Sequence, residues 1–247
     1  MKKTFIFDYD DTLAPNQHYY SLAQHKFVGF VLDKLGPRTP CVQEIINLQV
    51  GIDVELVKSR GFSQNRFPES FRLAYHRMRE KLGLEKDPEG EASVYLFGDE
   101  VYNRENWRYA RFFPGVTQTL AFLEHKGDEL MVLTKGDLDI QKAKLQATRA
   151  FKWFGDLNGN RVFIVPGDKK PVLESIVTHR NKDLVWVVGN SLKSDIIPAL
   201  DLGVGAIYVP QETWAYEKHD DTSHLNHPRL RTFKEVEEII SNYDSLV

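Results

Sequence analysis

Two aspartates, Asp8 and Asp10, stand where a short apolar run ends, in Phe5-Ile6-Phe7-Asp8-Tyr9-Asp10-Asp11-Thr12-Leu13. So apolar a run predicts a strand inside a sheet, and its polar end then opens onto a site. Alternate side chains of a strand leave on opposite faces, but a backbone that turns just beyond it lets both acids converge on one crevice. Unit charges about 4 Å apart repel by roughly 4 kcal/mol at an effective dielectric near 20, so the pair asks for a cation, a shared proton or a substrate. The competing reading is a solvated turn in which Asp11 or Thr12 caps a helix.

Three other places carry groups of the same usefulness. Apolar runs bounded by turn residues predict strands over 4–8, 129–133, 162–165, 184–188 and 206–209. Helical patterns over 116–125, 141–153, 171–179 and 194–202 alternate with them, which predicts an α/β protein: a Rossmann-like parallel sheet with helices on both faces. Parallel strands point their carboxyl ends to one edge. That edge would gather Asp8 and Asp10, then Thr134-Lys135-Gly136, then Lys169 and Lys170, then Gly189-Asn190-Ser191 with Asp195. Three acids with one or two lysines, a threonine and an asparagine make a hard-oxygen cage suited to Mg²⁺, with lysine and hydroxyl left for phosphate oxygens. Taken singly each is weak, since Thr-Lys-Gly alone is a helix entry and Gly-Asn-Ser alone a turn.

About a hundred residues separate the first two strands, far more than a crossover helix needs. This insertion, 16–113, has helical periodicity over 21–34, 42–50, 67–82 and 94–107 and reads as a separate module. Pro15 marks where the chain leaves the sheet domain and Pro114-Gly115 where it re-enters, so the core is 1–15 with 114–247. The polar tail from Glu212 is expected to be helical from Thr232.

Composition narrows the function. With 247 residues, 42% of them hydrophobic, the chain can bury a large core. A net charge of −3 gives no footprint for nucleic acid or an anionic membrane, which points to a small substrate. The single cysteine, Cys41, excludes an internal disulfide and a cysteine-based zinc site. No run reads as a signal peptide or a membrane span, so a cytoplasmic location is expected.

With these residues in place, the chain resembles the haloacid dehalogenase superfamily, most of whose members are magnesium-dependent phosphatases. Asp8-Tyr9-Asp10-Asp11-Thr12-Leu13 matches the first motif, DxDxT before an aliphatic residue. Thr134 matches the second, Lys169 or Lys170 the third, and Gly189-Asn190-Ser191-Leu192-Lys193-Ser194-Asp195 the fourth in outline. The insertion resembles that superfamily's helical cap, and Phe113-Pro114-Gly115-Val116 its return to the core. The resemblance implies that Asp8 attacks phosphorus to give an aspartyl-phosphate, while Asp10 protonates the leaving oxygen and then activates water. It implies Mg²⁺ on the carboxylate of Asp8, the backbone carbonyl of Asp10 and the side chain of Asp195, with Thr134 and a lysine on the phosphate oxygens. Thr12, Lys135, Gly136 and Asn190 at the strand ends, and Arg60 and Arg66 in a polar turn of the insertion, are the candidate substrate contacts. For the two arginines the alternative is a solvated helix connection.

The sequence departs from the pattern in ways that keep alternatives open. Asn190 stands where an acid is common, which removes one negative charge but leaves a carbonyl able to join a metal site. Lys170, which precedes Pro171, is preferred as the phosphate-binding lysine, with Lys169 the alternative. Asp11 replaces a common glycine and is expected to cap a helix or face solvent. A phosphatase acting on a small phosphorylated metabolite is the leading reading. A phosphomutase or phosphotransferase would use the same core, and Asn190 motivates a weakly active phosphate-binding sensor. A dehalogenase would have no role for Asp10. Arg104, Trp107, Arg108, Tyr109 and Arg111 form a basic aromatic stretch better read as helix packing, and the tail histidines and acids, His219, Asp220, Asp221, His224 and His227, fit no standard ligand spacing. Oligomeric state is left open by the sequence.

Overall fold

The computed structural model describes residues 2–61, 63–107, 110–211 and 226–246. Two compact units divide it: 1–17 with 107–247, and 18–106. Arg108 and Tyr109, and the tail positions Trp214, Tyr216, His219, Asp220, Asp221 and His224, lie outside the described residues.

In the first unit, strands β1 (Thr4–Phe7), β2 (Glu129–Lys135), β3 (Val162–Val165), β4 (Val185–Gly189), β5 (Gly205–Tyr208) and β6 (Leu230–Thr232) form one sheet in the order β3-β2-β1-β4-β5-β6, every neighbouring pair parallel. All four residues of β1 are buried, and their alternation feeds two cores. Phe5 and Phe7 join Leu120, Val132 and Phe154 on one face, while Ile6 joins Met131, Leu173 and Ala199 on the other. A strand covered on both faces needs apolar side chains at successive positions, which is why the run before Asp8 has no alternation. The sequence did not signal β6, whose three residues include the polar Arg231 and Thr232.

Helices α5 (Val116–His125), α6 (Leu138–Ala147), α7 (Phe151–Phe154), α8 (Lys170–Val177), α9 (Ile197–Asp201) and α10 (Glu238–Asn242) belong to this unit, after α1 (Gln17–Leu35), α2 (Val42–Arg60), α3 (Arg66–Lys81) and α4 (Pro88–Asp99) in chain order. The helix expected over 141–153 is two, because Arg149 adopts a left-handed φ of 58° and ends α6 before α7. The one expected over 194–202 opens with a π-helical turn, Leu192–Ile196, that carries Asp195.

The second unit is helical and has a core of its own. In α2, Ile45, Gln49, Ile52 and Leu56 are buried at spacings of three and four, the stripe of one helix face, and α3 buries Phe67, Phe71, Ala74, Tyr75 and Met78. Among the described residues no helix is long and apolar enough to cross a membrane.

Candidate active site

The position of β1 in the sheet locates the site. It lies between β2 and β4, whose crossovers run to opposite sides, and in open parallel sheets ligands bind beyond the carboxyl ends at such a reversal. Phe7 is level with Val132 of β2 and Val188 of β4, so Asp8 leaves β1 one residue short of the level of Thr134 and Asn190. A bond from Asp8 N to Val188 O at 2.8 Å carries the ladder one residue further, and then the chain turns, with Leu13 N and Ala14 N both donating to Tyr9 O. Asp11 sits in this turn at a left-handed φ of 58°, and its carboxylate accepts from Asn16 N at 2.7 Å and Gln17 N at 2.9 Å, capping the start of α1.

Asp8 is buried and both its oxygens are engaged. One accepts from Lys169 Nζ at 2.5 Å and the other from Thr12 Oγ1 at 2.9 Å. Lys169 Nζ also donates to Asp195 at 2.8 Å, so one ammonium joins the ends of β1 and β4. Burial pulls the Lys169 pKa down, but Asp195 and Asp8 together raise it above the ordinary lysine value, and it stays charged. Burial pushes Asp8 upward, Lys169 opposes this, and Asp195 and Asp10 add to the push. Asp195 packs so tightly on the end of β4 that a Cβ on Gly189 would lie 2.4 Å from its carboxylate, and its second oxygen accepts from Ser191 N at 3.1 Å. A side chain at 189 would displace the acid.

The two lysines separate here, against the preference for Lys170. Lys169 is buried at the amino end of α8, whereas the side chain of Lys170 is 44% exposed and its Nζ is paired with Asp201 at 2.8 Å. Helix phase decides this, because consecutive residues at a helix start leave in directions about a quarter turn apart.

Asp10 has a different environment from Asp8. Its carboxylate lies 3.0 Å from Lys144 Nζ through both oxygens and accepts from Gln141 Nε2 at 2.9 Å. Gln141 Nε2 also donates to Thr134 Oγ1 at 2.7 Å, and since that hydroxyl accepts there, its own proton is left to donate. Thr134 is wholly buried. Lys135 Nζ donates to Ser194 Oγ at 2.9 Å, across from β2 to the π-helical turn. Gly136, at φ +150°, lets the loop close over Gln141, whose side chain a Cβ there would meet at 3.0 Å. Neither Gln141 nor Lys144 was foreseen from the sequence. The available signal was two polar residues three apart on the inward face of the helix after Thr134.

Arg60 is exposed at the end of α2, and Arg66 is buried in the helical unit as an ion pair with Asp53. For Arg66, expected to contact substrate, the guanidinium answers a carboxylate that is itself 1% exposed. Removing one member of a buried pair strands the other, at about 3–5 kcal/mol. Arg66→Met should therefore lower the thermal midpoint strongly, and loss of turnover at an unchanged midpoint would restore the substrate-binding reading.

The donor chemistry suits a hard divalent cation. Asp8, Asp195 and the carbonyl of Asn190, which accepts from Thr12 Oγ1 at 3.3 Å, are all oxygen ligands. Among the described residues no three acidic, histidine or cysteine side chains gather as a metal site, and the carboxylate of Asp10 is turned to Lys144. Two buried acids on one lysine still carry an uncompensated negative charge, and an added cation would offset it.

No family model matches the chain. It is 26% identical over 97% of its length to the whole of a glyceraldehyde 3-phosphate phosphatase from Methanothermobacter thermautotrophicus. Among solved structures it resembles a haloacid dehalogenase-like hydrolase from Xanthomonas campestris, with a TM-score of 0.75 at 19% identity over 99% of this chain and 91% of that one. It also resembles a HAD-hydrolase from Bacillus subtilis solved bound to magnesium, with a TM-score of 0.59 at 15% identity over 98% and 99% of the two chains. The six-stranded parallel sheet, the helical insertion after β1 and these likenesses agree: the chain has the fold of the haloacid dehalogenase-like hydrolases.

Proposed function

We propose that the protein hydrolyses small phosphomonoesters through an aspartyl-phosphate on Asp8. The observation that carries this reading is the division of labour between two acids two residues apart, Asp8 on Lys169 and Thr12, Asp10 on Lys144 and Gln141. Paired carboxylates held in different surroundings can take different roles at one pH.

In the proposed reaction an Asp8 oxygen forms a bond to phosphorus as the ester P–O bond breaks, and the departing alcohol oxygen takes a proton from Asp10. Asp10 then removes a proton from water, the water oxygen attacks phosphorus, and the Asp8–phosphorus bond breaks to release phosphate. General acid–base help of this kind contributes about 10²–10⁴-fold. Lys169 and the Thr134 hydroxyl are suited to the phosphate oxygens, where charge concentrates. Mg²⁺ on the Asp8 and Asp195 carboxylates and the Asp10 carbonyl would neutralise phosphate charge. The relative's name supports a small phosphorylated metabolite as substrate, and makes glyceraldehyde 3-phosphate the first natural ester to assay.

Hydrolysis of p-nitrophenyl phosphate is expected with Mg²⁺ and should fall to background with excess EDTA, returning when Mg²⁺ is restored. Phosphate release indifferent to EDTA would remove the metal from the mechanism. Binding of phosphate esters without any release would favour the sensor reading, and chloride release from a 2-haloacid would favour the dehalogenase.

A further inference from the structure

The geometry points to Lys144, with Gln141 beside it on α6, as the positioning device for Asp10: it fixes the carboxylate that serves as proton donor and acceptor without itself touching substrate. The inference rests on the proposed phosphatase reaction and names residues that the superfamily motifs do not contain. Lys144 is 8% exposed and Gln141 1%, unusual burial for a long charged and an amide side chain. Their polar ends both reach Asp10, from positions three apart on one helix face.

The ammonium is held from several directions. It lies 3.0 Å from each Asp10 oxygen, donates to Asn16 Oδ1 at 2.8 Å, and sits 5.9 Å from the centre of the buried Trp107 ring. A side chain so placed has little freedom to follow the carboxylate elsewhere, so it sets the rotamer of Asp10. Gln141 ties the same carboxylate to Thr134 Oγ1 and to the Lys135 carbonyl at 2.9 Å. One amide thereby sets the distance between the proposed proton carrier and a proposed phosphate donor. Among the described residues its own Oε1 is buried without a hydrogen-bond partner, and turning the amide over would face that oxygen to the Asp10 carboxylate. Only the present orientation satisfies the acid.

A group that acts through Asp10 should affect only those steps that need Asp10. Loss of the dinitrophenolate ion from 2,4-dinitrophenyl phosphate needs no proton, whereas hydrolysis of the aspartyl-phosphate needs a base. In single-turnover and steady-state assays with this ester, Lys144→Met should keep the first release of dinitrophenolate. Its steady-state kcat should fall on the order of 10²-fold, the scale of a catalytic group misplaced by about 1 Å, with KM little changed. Lys144→Arg, which keeps a cation in reach, should recover much of kcat. In the Asp10→Asn background, adding Lys144→Met should cost nothing further, because the residue it serves is already gone.

Parent-like kcat in Lys144→Met, equal loss in both phases, or a further loss in the Asp10→Asn background would each overturn the inference. Should Lys144→Met alone fail to fold, the comparison between Asp10→Asn and the double variant still decides, since that pair leaves no carboxylate stranded. A parent protein that turns over no phosphate ester would instead refute the phosphatase reading, and this inference with it.

Discussion

Asp8→Asn should reduce turnover of p-nitrophenyl phosphate on the order of 10⁴–10⁶-fold, about 5–8 kcal/mol of transition-state stabilisation, while the protein stays folded. The amide keeps the size of the side chain and its bond with Thr12, but it cannot form the acyl-phosphate. Folding is spared because the change removes a carboxylate that burial disfavours, and Lys169 keeps Asp195 as its partner. Asp10→Asn should also lower steady-state turnover, by about 10²–10⁴-fold, yet leave an initial release of dinitrophenolate that Asp8→Asn lacks. That contrast separates nucleophile from proton carrier, and full activity in Asp8→Asn would falsify the assignment of the nucleophile.

Much of this arrangement is legible in the sequence, for a physical reason. β1 carries three large apolar residues in a row, so it is a central strand, and whatever follows a central parallel strand lies at the sheet's functional edge. The other strand ends were readable in the same way, and Thr134, Asn190 and Asp195 lie near where their strands predict. What the sequence hides is direction. The two lysines before Pro171 differ only in the phase at which α8 starts, and phase is set by the burial of Leu173, Ile176 and Val177 in the core, which no local pattern records. Lys144 is hidden for a related reason. With the helix expected to begin at 141, its two inward polar residues fell on no particular face. In the structure Asp137 caps it one turn earlier, accepting from Asp139 N at 3.0 Å and Ile140 N at 3.2 Å, and the face becomes defined.

The adjacent lysines supply the other large expected effect, because the same substitution should give opposite results one residue apart. Lys170→Met removes an exposed side chain paired with Asp201 at the surface, so both stability and turnover should match the parent. Lys169→Met leaves Asp8 and Asp195 buried with no ammonium between them. Stranding the partner of one buried pair costs about 3–5 kcal/mol, and here two acids lose the same cation. Turnover should vanish as well, since a proposed phosphate contact goes with it. The stability loss has a sign in pH. Burial already raises the folded pKa of Asp8 and Lys169 opposes it, so without Lys169 it rises further, and an acid that holds its proton more tightly when folded favours folding at low pH and ceases to as pH climbs through the folded value. Denaturant melts of Lys169→Met should therefore lie close to the parent near pH 4 and fall progressively behind it toward neutrality. Mg²⁺ should narrow the gap at neutral pH, because a divalent cation answers the charge that the lysine answered. A deficit equal at all pH values would mean that lost packing, rather than the two acids, accounts for the effect. A Lys170→Met protein that lost turnover while Lys169→Met kept it would return the phosphate contact to the residue before Pro171.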